Sequence, residues 1–161
     1  MAQTDFFLKL DGVPGESADD KHKGEIDVES WSWGATQAGT MDRGGGGGAG
    51  KIQMQDFHFV MKVNKATPKL MLACAKGEHI PNAVFVARKA GGKQEEYLNL
   101  KFGDVMVSSY QTGGSVGQVI PMDQISLNFS KIEMEYKEQQ KTGGTTGPVK
   151  AGWDVKANKV I

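Results

Sequence analysis

The chain has one cysteine, five prolines, no excess of either charge and no long apolar run, and each scarcity removes a class of protein. Cys74 alone cannot form an internal disulfide, which suits a reducing compartment. The fold needs no bridge, since a chain of 161 residues buries about 70% of the surface its unfolded form exposes. Lys+Arg and Asp+Glu stand at 19 each, so net charge offers no broad attraction to nucleic acid or to an anionic membrane. No apolar stretch approaches the roughly 20 residues needed to span a bilayer, so no membrane insertion is expected. Met1–Leu10 lacks the basic start and apolar run of a signal peptide, and export is expected to use a dedicated machine instead.

Glycine, by contrast, is abundant, with 22 residues clustered at 44–50, 91–92, 113–117 and 143–147. Clustered glycines between alternating segments read as the turns of an all-β chain. Phe6, Leu8 and Leu10 alternate with Phe7 and Lys9, as in a strand with one buried face. Three further segments change apolar parity midway. Ile26 and Val28 give way to Trp31 and Trp33; Ile52 and Met54 to Phe57, Phe59, Met61 and Val63; Ile125, Leu127 and Phe129 to Ile132, Met134 and Tyr136. A one-residue change of parity needs a bulge or bend, a device of curved or barrel-forming sheets. Strands are also expected at Ala83–Arg88, Glu96–Phe102 and Val105–Tyr110, with a hairpin turn at Ala90-Gly91-Gly92-Lys93. One helix is expected at about 67–76, with Thr67 as N-cap, Pro68 at the first helical position and Gly77 as the left-handed stop. The expected fold is mainly β: a single domain over 1–161, a compact barrel of two packed antiparallel sheets, one short flanking helix and an extended Gly-rich loop. A flexible connection at about 141–148 leads to a short C-terminal strand at about 152–156. No internal repeat is present.

Motifs for chemistry are few. Gly45-Gly46-Gly47-Gly48-Ala49-Gly50-Lys51 has the glycine and lysine spacing of a phosphate-binding loop. Ile52, however, stands where that loop needs a magnesium-holding hydroxyl, and a strand-like segment follows where a helix should open. A connector accounts for the run better. His22, His58 and His79 are too widely spaced for a metal pair and read as surface or loop histidines. No Gly-x-Ser-x-Gly turn exists, and Cys74 lies in the expected amphipathic helix as a core thiol. No catalytic, cofactor or metal residue is expected. In Trp31-Ser32-Trp33, two inward tryptophans would turn Ser30 and Ser32 outward. Lys131, Glu133, Glu135 and Lys137 form a charge-rich strand end whose default is a solvated face.

Taken in order, several segments resemble the haemolysin-coregulated protein (Hcp) family: Phe6–Ser17, His22–Val28, Ser30-Trp31-Ser32-Trp33-Gly34, Gly44–Lys51, Thr67–Leu70, Ala75–His79, Arg88–Gly92 and Val107–Ser109. The match covers nearly the whole chain. The resemblance implies a β-barrel that forms hexameric rings. The rings stack into the inner tube of the type VI secretion injector, inside a sheath and behind a spike protein, and are found outside the producing cell. It also implies a lumen that carries effector proteins. The chain ends soon after the barrel-sized region, so no toxin extension is expected. Ser32, with Ser30, is expected on the lumen wall. Asp11, Glu16, Lys21 and His22, together with Gly44, Gly45, Gly46, Gly47 and Gly48, are expected at subunit or ring contacts, because their segments are polar or Gly-rich and poorly anchored. Two other classes stay open on residues alone: a monomeric barrel with an internal ligand pocket, and a nucleotide enzyme using the 45–51 loop.

Overall fold

The computed structural model describes residues 3–39, 50–91, 94–138 and 147–161. Gly44–Gly48 and most of the expected 141–148 connection lie outside them. The strands are β1 (Gln3–Leu10), β2 (Ile26–Val28), β3 (Ser30–Ser32), β4 (Ala35–Thr36), β5 (Gln53–Met54) and β6 (Phe57–Lys62). After the helix α1 (Thr67–Lys76) come β7 (His79–Ala90), β8 (Glu96–Gly113), β9 (Met122–Tyr136), β10 (Val149–Asp154) and β11 (Lys159–Val160). All pairings are antiparallel. Among the described residues a nine-stranded sheet runs β11-β10-β9-β8-β7-β1-β2, with β6 beside β9 and β3 beside β6; β4 and β5 form a separate small sheet. The large sheet curls until β2 and β3 meet at Glu29, whose N–H donates to Val60 O at 2.8 Å. No ladder joins β2 to β3, so the barrel is seamed by a chain corner rather than closed by pairing.

The corners fall where parity changes. Ile26 and Val28 point inward along β1, and Trp31 points inward along β6, because Glu29 spends one residue on changing partner. Gln55 and Asp56 separate β5 from β6. Ser130 and Lys131 mark the third change inside the unbroken β9. Opposite Ser130, Asp104 takes a left-handed backbone (φ 57°), which bends β8 between the expected strand segments Glu96–Phe102 and Val105–Tyr110. Ser108 is an extra residue on β8, since Val107 pairs with Leu127 and Ser109 with Ser126. The centre is filled by Phe57, Phe59, Phe85, Phe102, Leu100 and Leu127, all at most 2% exposed. Offset and tilted ring contacts at 4.7–6.1 Å link Trp31, Phe57, Phe85, Phe102 and Phe129. Among the described residues, the barrel axis therefore holds side chains, not a ligand cavity.

Two local expectations are corrected. The N-cap is Ala66, not Thr67. Thr67 is already helical, which makes Pro68 the second helical residue rather than the first, and the Thr67 hydroxyl donates instead to the fully buried Asp123 (Oδ2, 2.6 Å), while Asn64 Oδ1 accepts the Ala66 N–H (2.8 Å). The C-terminal stop is Gly77, left-handed at φ 61°, as expected. Phe7, placed by alternation on the solvent side of β1, is 4% exposed because the segment after β1 folds back over that face.

Candidate functional site: an exposed polar face and a tethered loop

Antiparallel partners share a sheet face, so the registers define what surrounds Ser30 and Ser32. One row reads Ser32–His58–Ser126–Ser109 across β3, β6, β9 and β8, and the next reads Ser30–Val60–Gln124–Gln111. Their immediate neighbours Trp31, Phe57, Phe59, Ile125 and Leu127 point into the core, which turns these rows outward. Ser30, Ser32, Ser109, Gln111 and Gln124 are exposed; His58, Val60 and Ser126 are half-buried. His58 Nδ1 lies 3.2 Å from Ser126 Oγ. Beyond that row Asp56 accepts from Ser108 Oγ (2.5 Å) and Asn128 Nδ2 (2.9 Å). Both predicted wall residues thus sit on one polar sheet face. His58, Ser126, Gln124 and Gln111 were not singled out from the sequence, although their parity opposite Phe57, Phe59, Ile125 and Leu127 carries that information.

The predicted contact residues of the first loop separate into two kinds. Asp11, Glu16 and Lys21 are exposed, whereas His22 is a buried loop histidine, 6% exposed. The loop is not poorly anchored. Gly15 N–H donates to Gly24 O (2.8 Å), Ser17 N–H to Glu25 O (3.0 Å) and Gly24 N–H to Ser17 O (2.9 Å). The His22 ring stacks on Phe7 at 4.3 Å, with Nδ1 2.9 Å from Glu25 and Nε2 2.8 Å from Glu96. Arg88, 2% exposed, reaches out from β7 to donate to Asp19 Oδ1 (2.7 Å) and Oδ2 (2.9 Å) and to Asp5 Oδ2 (3.1 Å), its guanidinium 4.8 Å from the Phe7 centroid. This tether was missed in the sequence. Its members lie 69 and 83 residues apart, and no local pattern joins them.

The Arg88 hydrogen bonds hold the Asp19 carboxyl down at about 2, from an ordinary 3.8, helped by the Lys21 and His22 N–H groups against the opposing cost of burial. The same partners raise Arg88 further above its already high range. A carboxyl whose pKa falls on folding stabilises the fold fully above its unfolded value. That stabilisation is surrendered as pH drops from 3.8 towards 2. Wild-type protein is therefore expected to lose urea resistance more steeply over that window than Asp19→Asn. Parallel curves for the two proteins would refute the assignment.

Among the described residues no cluster of three or more metal-ligating side chains occurs. No described helix is long and apolar enough to cross a membrane. Of the 45–51 run only Gly50 and Lys51 are described, and they lead into β5 rather than into a helix.

Residues 7–136 match the family model described as type VI secretion system effector, Hcp. The chain is similar to Protein hcp1 of Pseudomonas aeruginosa, at 47% identity over 156 residues and 96% of both chains. Among solved structures it is similar to one titled as a type six secretion system protein (TM-score 0.94, 33% identity, 99% of this chain and 100% of that one). It is also similar to Hcp1 from Salmonella typhimurium (TM-score 0.82, 38% identity, 99% and 100%).

Proposed function

Since this chain belongs to the Hcp family of type VI secretion proteins, we propose that it is the subunit of the secretion tube, a structural protein without chemistry of its own. Identical barrels join in hexameric rings by heterologous contacts that close on themselves, and the rings stack. The tube is assembled in the bacterial cytoplasm inside a sheath and behind a spike, is released from the cell, and carries effector proteins in its lumen. The observation that supports the lumen most directly is the exposed polar face holding Ser30, Ser32, His58, Ser126, Gln124 and Gln111 on adjacent strands. A soluble passenger needs a wall that offers hydrogen bonds with little apolar adhesion, and this face, in which Val60 is the one apolar member of the two rows, supplies it.

Ring contacts are assigned to the outward side chains of the tethered loop, Asp11, Glu16 and Lys21, and to Gly44, Gly45, Gly46, Gly47 and Gly48, whose missing side chains permit close backbone approach. His22 serves this surface from beneath, by fixing the loop. The monomeric ligand-binding alternative loses ground because its pocket would occupy the volume of Phe57, Phe85 and Phe102.

Negative-stain imaging of purified protein is expected to show rings. Ser32→Gln should leave ring yield unchanged, because the side chain is exposed and outside the core. Retention of co-expressed small proteins in a pull-down should fall about tenfold, the loss of roughly one good polar contact at each copy. Unchanged retention would remove Ser32 from the wall. Equal hydrogen exchange of residues 11–24 in free and assembled protein would remove that loop from the ring contacts.

A further inference from the structure

The polar face ends in a cleft of about 380 Å3, lined by Val60, Gln111, Gly114, Ser115, Gln118 and Gln124. Its floor is the Val60–Gln124–Gln111 part of the outer row, and its rim is the exposed loop joining β8 to β9. Charge is what it lacks. A quarter of the chain is Asp, Glu, Lys or Arg, yet neither row of the face nor the lining of the cleft contains one. Among the described residues, charges flank the face at the two ends of β6: Asp56, hydrogen-bonded by Ser108 and Asn128, and Lys62, 3.7 Å from Glu29. The Gln111 and Gln124 carboxamides each present both donors and acceptors, and Gln118, whose Oε1 accepts from the Ser115 N–H (3.1 Å), presents its NH2 donors, the chemistry that pairs with peptide backbone irrespective of sequence.

We propose that this cleft is a neutral hydrogen-bonding subsite that takes an extended, uncharged polar segment of a passenger protein, with Gln111, Gln118 and Gln124 as its binding residues. The inference rests on the tube reading only in naming a passenger as the occupant. Neutrality has a physical reason. A charge on the wall repeats in every copy, so attraction for an oppositely charged passenger would multiply around the ring and resist release. Neutral hydrogen bonds hold several weak points and depend little on salt or on passenger charge.

Met122 also lines the cleft, and its methyl group gives a probe visible by NMR in a large assembly. Three labelled peptides serve as ligands, one of Asn, Ser and Gly, one rich in Glu and one rich in Lys. The neutral peptide is expected to shift the Met122 methyl resonance, with affinity changing less than about twofold from roughly 50 to roughly 500 mM NaCl. Gln111→Ala with Gln124→Ala, both exposed and so tolerated by the fold, should weaken it about tenfold. Gln124→Lys should create binding of the Glu-rich peptide that high salt abolishes. A Met122 signal unmoved by the neutral peptide overturns the proposal, as does preferential, salt-sensitive binding of a charged peptide to wild-type protein. Rings with an unmoved Met122 signal would sink the cleft alone. A persistent monomer that still shows the shift would sink the tube and keep the cleft.

Discussion

Arg88→Ala is expected to cost about 3 kcal/mol of folding stability, read as a lowered urea midpoint at unchanged m value. The side chain is among the largest fully buried ones, and it is the only cation within salt-bridging distance of Asp19 and Asp5 among the described residues. Removing it leaves two carboxylates facing one another under a loop and strips the guanidinium from the Phe7 ring. Breaking a buried pair from one side costs about 3–5 kcal/mol. Water still reaches Asp5 and Asp19, at 38% and 20% side-chain exposure, which places the expectation at the low end. Arg88→Lys should recover less than half, because a single ammonium cannot span both oxygens of Asp19 and also Asp5. Arg88→Met combined with Asp19→Asn should be more stable than Arg88→Met alone, since it removes a stranded charge. A cost below about 1 kcal/mol for Arg88→Ala would make the cluster an ordinary solvated bridge and overturn its role as tether.

That tether also marks where the sequence stops being legible. Periodicity located the corners at Glu29, Gln55–Asp56 and Ser130–Lys131, because a chain that bends must still turn its apolar side chains inward. The same logic placed Ser30 and Ser32 outward, and it extends without change to His58, Ser126, Gln124 and Gln111. Alternation is silent about what lies over the outer face of a strand. Phe7 reads as solvent-facing from its neighbours and is buried only because the Gly15–Gly24 turn lays Asp19 and His22 above it. The Thr67 expectation failed for a related reason. A threonine before proline has the local chemistry of a cap, but Asp123, 56 residues away, takes its hydroxyl. Local pattern fixes which side a residue faces; distant charge and loop return decide what meets it there.

Gly15→Ala is expected to lift the whole loop and to cost about 2–4 kcal/mol, the loss of three backbone hydrogen bonds and much of the Phe7 burial. A Cβ at this position would lie 2.4 Å from Glu25 O and 2.7 Å from both Glu25 C and Ile26 Cα. These are backbone atoms at the start of β2, where Ile26 is fully buried and paired with Leu8, so they cannot yield without breaking that register. The loop must move instead. Gly15 then loses Gly24 O, Ser17 loses Glu25 O, and Asp19 is drawn off Arg88. Hydrogen exchange should accelerate at the Ser17 and Gly24 amides while the paired amides of β8 and β9 stay protected. Because the detached loop has already taken Asp19 from Arg88, Gly15→Ala and Arg88→Ala should not add. The double variant is expected to lose at least about 1 kcal/mol less than the sum. The outward Asp11, Glu16 and Lys21 would be displaced with the loop, so ring yield should fall even where the barrel stays folded. Strict additivity of the two substitutions would mean that Gly15 and Arg88 act on separate structures. Rings at wild-type yield from a loop shown by exchange to be detached would take this segment out of the assembly contacts altogether.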